Sequence, residues 1–133
     1  MMPVTFESLR QEAEAIAAKY ERRQAAMLPL LRLVQDRFGC ITTAAEEWVG
    51  ALLGVSPAHV HEVVTFYTLY HRQPVGRYHV QVCTNIACAL RGAEGCVALL
   101  SERLGIMPGQ TTPDGRYTLS TVECLCACEA APM

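Results

Sequence analysis

Apolar residues in the first half of the chain recur at helical spacing. Phe6, Leu9, Ala13, Ile16, Ala17 and Tyr20 fall on one side of a predicted first helix. A polar break at Glu21-Arg22-Arg23 precedes a second helix from about Ala25 to Phe38, with Met27, Leu30, Leu31 and Val34 as its apolar side. Pro29 sits near the first turn, where a missing N–H costs little, and Gly39 stands at the C-cap. Thr43-x-x-Glu46 fits a capping box for a third helix ending near Leu53-Gly54. Ser56-Pro57 opens a fourth, running through Val60, Val63, Val64 and Phe66. A four-helix segment without a polar constellation of its own is expected.

The period then changes. Gln73-Pro74-Val75-Gly76 is turn-like, and a boundary is placed at residues 72 and 73. Tyr78-His79-Val80-Gln81-Val82 alternates as a strand and runs into Cys83. From Ala89 to Leu104 the pattern is helical again, with Leu90, Ala93, Val97, Leu100 and Leu104 on one side and Gly105 as its stop. After turns at Pro108-Gly109 and Pro113-Asp114-Gly115, a second strand, Tyr117 to Val122, runs into Cys124. The fold class is α/β.

Composition narrows the chemistry. The chain has 133 residues, 51% of them hydrophobic, and a formal net charge of −2. No basic run points to nucleic acid, and no apolar stretch is long enough to span a membrane. The opening MMPVTFESLRQEAEA lacks a basic region followed by an apolar one, so no export signal is expected and the chain reads as cytoplasmic. Seven cysteines in a reducing compartment favour metal ligation or redox chemistry over disulfides.

Cys83 and Cys88 are separated by four residues, and Cys124 and Cys128 by three. Each pair follows the end of a predicted strand. In a parallel βαβ unit both strands finish at the same edge, so the two pairs meet. A [2Fe–2S] cluster takes two thiolates per iron, which suits this division. A structural zinc interaction module is the main rival, but its loops usually place two residues between ligands. A thioredoxin-type thiol catalyst needs C-x-x-C, which is absent. Cys40 and Cys96 read as small core residues. Cys126 lies between two proposed ligands, with its side chain expected to point away. His59, His61, His71 and His79 do not cluster with the cysteines and read as solvated or partner-facing. No Ser/His/Asp set and no phosphate-binding glycine loop is present, so no catalytic residue is expected here.

The runs His61-Glu-Val-Val-Thr-Phe-Tyr67, Gly76-Arg-Tyr-His-Val-Gln-Val-Cys-Thr-Asn85 and Cys88-Ala-Leu-Arg-Gly92 resemble the 24 kDa subunit family of NADH-quinone oxidoreductase (complex I). Leu104-Gly105-Ile106, Thr112-Pro-Asp-Gly115, Val122-Glu-Cys-Leu125, Ala127-Cys128 and Ala131-Pro132 continue the match. The resemblance implies a helical bundle over residues 1–72 and a thioredoxin-like [2Fe–2S] ferredoxin domain over residues 73–133. It implies Cys83, Cys88, Cys124 and Cys128 as ligands. It implies an electron carrier docked on a partner that holds FMN and NADH, on the cytoplasmic side of the inner membrane. The cluster would exchange single electrons with the flavin and set its redox poise. Similar small subunits serve NAD-linked soluble hydrogenases and formate dehydrogenases; Cys-Thr-Asn and Ala-Leu-Arg-Gly favour the quinone-linked member.

Two departures from the family stand out. The family has glycine where this chain has Cys126, so a positive φ there would strain a cysteine. Family members also continue past Ala-Pro with a hairpin and a helix, so the resemblance implies a shortened C-terminus and a sheet with an exposed edge.

Overall fold

The computed structural model describes residues 5–133. Met1 to Val4, the start of the stretch read for an export signal, lie outside the described residues. The chain divides into two compact units, one ending at Pro74 and the other Val75–Met133.

The first unit is helical. Helix α1, Phe6–Ala17, starts at Thr5, whose hydroxyl accepts from the Ser8 N–H while the Ser8 hydroxyl accepts from the Thr5 N–H. This reciprocal cap satisfies two donors that the first turn leaves free. The helix stops at Ala17, short of the expected Tyr20, which lies exposed. A 3-10 turn, Arg23–Ala26, leads into α2, Met27–Phe38, so the expected single helix from Ala25 begins as a tighter turn. Gly39 ends α2 with φ 80°, the left-handed conformation that favours glycine. Helices α3, Thr43–Leu53, and α4, Pro57–Phe66, follow, α4 capped by Ser56 with Pro57 in its first turn. Helix α3 is capped by Thr42, one residue before the expected capping box.

Leu30, Leu31, Val34, Ile41, Val49 and Val60 are wholly buried at the centre of this unit. Each such side chain contributes roughly 1.5–3 kcal/mol by leaving water. Phe6 packs between Phe38 and Trp48, with ring centroids 4.8 and 5.6 Å away. The unit also holds a polar pair that sequence reasoning did not expect. Glu46 is only 3% exposed, and His61 Nδ1 lies 3.1 Å from both of its carboxylate oxygens. His61 is therefore not simply solvated. His59 also has partners, Gln24 at 2.9 Å and Glu62 at 3.2 Å.

The second unit is a strand–helix–strand arrangement. Strand β1, Tyr78–Cys83, pairs in parallel with β2, Tyr117–Val122, in the register Tyr78 to Tyr117 and Cys83 to Val122. The connection holds two helices, α5, Ile86–Leu90, and α6, Ala93–Leu104. One continuous helix was expected from Ala89. Gly92, at φ 94°, interrupts it, and Leu90 turns out 82% exposed instead of joining the apolar side. Val82, Leu119, Ala93 and Ile106 form the buried core, with Val97, Leu100 and Leu104 of α6 against it.

Both strands begin alike. Gly76-Arg77-Tyr78 and Gly115-Arg116-Tyr117 run side by side, with the two tyrosine rings stacked at 5.5 Å between centroids. The outer edge of β2 is covered, while β1 has no further strand beside it among the described residues. Gly109–Thr112 runs along β2, with N–H groups of Gly109 and Thr112 donating to Leu119 and Tyr117 and that of Leu119 donating to Gln110. His79, on β1, bonds Ser120 on β2 at 2.8 Å, which replaces the solvated reading.

Candidate metal centre

Parallel pairing brings the C-terminal ends of both strands to the same edge, as the sequence predicts. Cys83 is the last residue of β1 and is buried. Thr84 carries the pairing one step further, donating its N–H to Val122 at 2.9 Å. Asn85 then caps α5, its side-chain oxygen accepting from the Ile86 N–H at 2.7 Å. This short helix delivers Cys88, also buried, back toward Cys83.

On the other side β2 ends at Val122, and the chain leaves as an irregular loop through Cys124 and Cys126. Cys128 starts a short 3-10 turn, Cys128–Ala130. These three cysteines are exposed. The Cys126 N–H donates to Cys124 Sγ at 3.2 Å, and the Cys83 thiol to the Glu123 carbonyl at 3.6 Å.

The electrostatics tie the two halves together. The backbone N–H of Asn85 holds the Cys83 thiol below its ordinary range, aided by Cys88, the Leu125 N–H and Cys124 against the effect of burial. Burial pushes Cys88 up, followed by its bond with Cys83, and Cys128 is near enough to add to the rise. The Met133 N–H works the other way on Cys88. Cys83, Cys88, Cys124 and Cys128 thus share one neighbourhood. Cys40 lies buried in the helical unit, and Cys96 packs on the core of the second, both as expected. None of the four histidines joins the cysteines.

Cys126 differs from expectation in one respect and meets it in another. Its φ is 56°, the left-handed strain anticipated for a cysteine at a glycine position. Its thiol does not point away, however, but lies 3.9 Å from Cys124 Sγ. The backbone donors of Asn85, Leu125 and Met133 were also missed. Only Asn85 carried a signal, as a helix-capping residue just before Ile86.

These residues fit a two-iron core. They come as two pairs from two strand ends, as two irons with two thiolates each require. Backbone N–H groups already aim at the Cys83 and Cys124 sulfurs, the kind of contact that orients and tunes such a core. Among the described residues no group of three His, Cys, Asp or Glu is gathered closely enough to hold a single metal ion.

Comparison with known proteins agrees. The family described as thioredoxin-like [2Fe–2S] ferredoxin matches residues 13–133. An NADH-quinone oxidoreductase subunit of Rhizobium meliloti (strain 1021) is 48% identical over 126 residues, spanning 95% of this chain and 75% of its own length. NADH-quinone oxidoreductase subunit 2 of Thermus thermophilus is 43% identical over 130 residues, spanning 96% of this chain and 72% of its own. The crystal structure of NAD+-reducing [NiFe]-hydrogenase in the H2-reduced state superposes with a TM-score of 0.58 at 20% identity, over 71% of this chain and 16% of that one. That likeness is one of fold. With the sequence match spanning nearly the whole chain and the thiols converging at paired strand ends, the protein belongs to the thioredoxin-like [2Fe–2S] ferredoxin family.

Proposed function

We propose that the chain is the [2Fe–2S] electron-transfer subunit of an NADH:quinone oxidoreductase, with Cys83, Cys88, Cys124 and Cys128 as the cluster ligands. The observation that carries this reading is the meeting of two thiol pairs at the ends of two parallel, in-register strands. The relatives named for the same complex support it. When bound, the cluster supplies one-electron chemistry, accepting and returning a single electron.

The chain's own residues hold and shield the site. Asn85 and Leu125 direct N–H groups at Cys83 and favour its thiolate. Burial of Cys83 and Cys88 keeps water from one side, while the loop from Cys124 to Cys128 stays open to solvent. Ile86 and Leu90, on either side of Cys88, are 73% and 82% exposed. Apolar side chains left in water around a redox site suit a docking face. The partner in this reading is the subunit that carries FMN and NADH. The division of labour is a helical bundle over residues 1–72, which supplies no ligand, and the ligand-bearing domain over residues 73–133. No helix among the described residues is long and apolar enough to cross a membrane. Placement on the cytoplasmic face of the inner membrane would come through the assembled complex.

Anaerobically purified protein should be coloured, with visible absorption that bleaches on reduction and an EPR signal from the reduced form. Cys83→Ala should lose both iron and sulfide. A colourless, zinc-containing protein, or full iron retention by Cys83→Ala, would overturn the assignment.

A further inference from the structure

The loop after β2 carries three cysteines at alternate positions, Cys124, Cys126 and Cys128, where the proposed ligand set needs two. The third thiol is not directed elsewhere. Cys126 Sγ lies 3.9 Å from Cys124 Sγ. The left-handed turn at Cys126 folds the loop back on itself and brings its N–H within 3.2 Å of Cys124 Sγ. Cys124 and Cys126 are both exposed, and no regular secondary structure holds residues 124 to 127.

We propose that Cys126 is a reserve ligand that replaces Cys124 on the cluster, an inference that rests on the ligand assignment made above. In the exchange one iron–sulfur bond to Cys124 breaks and one to Cys126 forms. Cys126 gives its proton to solvent and Cys124 takes one up. No electron moves, so no oxidant or reductant is needed. Cys83 and Cys88 have no such neighbour on their loop, because residues 84 to 87 contain no cysteine. Redundancy is confined to one side of the site.

The test compares Cys124→Ala, Cys126→Gly and the double variant Cys124→Ala/Cys126→Gly with the wild-type full chain, all prepared anaerobically. Alanine is chosen because it cannot ligate iron. Iron and sulfide content and the EPR g values of the reduced protein are read for each. Cys124→Ala should keep wild-type iron and sulfide with shifted g values. The double variant should lose both, while Cys126→Gly alone keeps iron and sulfide through Cys124. Equal loss in Cys124→Ala and the double variant would overturn the exchange. Retention of iron by Cys83→Ala would instead overturn the ligand assignment, so the two failures are distinct. Should Cys124→Ala fail to fold, slow alkylation of the loaded wild-type protein decides. Label on Cys124 with iron retained supports exchange; label confined to Cys126 while iron is retained excludes it.

Discussion

Glu46 shows how far residue-level reasoning reaches. In sequence it completes a Thr-x-x-Glu pattern, and its natural reading is a helix cap. The helix instead begins one residue earlier, at the Thr42 cap, and Glu46 lies on its buried side at 3% exposure. There it faces His61, with Arg72 at the edge of contact, 4.0 Å away. Hydrophobic spacing locates a helix but not its first residue, and a Thr-x-x-Glu pattern does not tell whether its glutamate caps the helix or packs inside. Replacing Glu46 with Gln keeps the shape and one hydrogen bond while removing the charge. We expect a loss of about 1 kcal/mol in urea unfolding, with iron content unchanged because no proposed ligand lies near it in sequence. Cys126 is the opposite case. Its positive φ was legible from its place in a glycine position, but the direction of its thiol was not, because that depends on how the loop folds over Cys124.

At the scale of elements, the two strands and their order were legible because alternation and strand-forming residues run directly into each cysteine pair. The break between α5 and α6 was not. Leu90, Ala93 and Val97 keep helical spacing across Gly92, so periodicity alone could not reveal a left-handed residue between them. Strand pairing itself depends on Gly76. A Cβ there would come within 2.8 Å of the Tyr117 carbonyl carbon and 2.9 Å of Arg116, both backbone, while the Gly76 N–H donates to Thr118 Oγ1. Gly76→Ala should therefore destabilise the chain by about 1–3 kcal/mol in urea unfolding and reduce iron retention with it. His79 adds a pH dependence to the same pair of strands. Burial lowers its pKa from the ordinary 6.5, so the unfolded chain binds this proton more readily than the folded one. Stability from this group is whole above pH 6.5 and is lost as pH falls from there through the lower folded value. His79→Gln should flatten that part of a plot of unfolding midpoint against pH; an unchanged slope would remove His79 as its source.

For the molecule as a whole, each unit has a hydrophobic core of its own, and only the second carries the converging thiols. The second core is small, with half of the proposed ligands in an exposed loop. Metal that binds only the folded form adds its binding energy to folding. Anaerobic chelation of iron should accordingly lower the thermal unfolding midpoint of the loaded protein, and a midpoint that does not move would show that the loop is held without metal. The register that sets Cys83 beside Val122 runs unbroken from the first residues of the two strands. Stacked Tyr78 and Tyr117 sit level at the entry to the two strands, and Cys83 sits level with Val122 at the exit. A slip of one residue would send each side chain to the opposite face of the sheet. The aromatic pair thus acts as a datum from which the thiols are levelled, five peptide steps or roughly 17 Å away. Loosening it would be felt at the far end of the strands, in how level Cys83 and Val122 stand where the two proposed ligand loops begin.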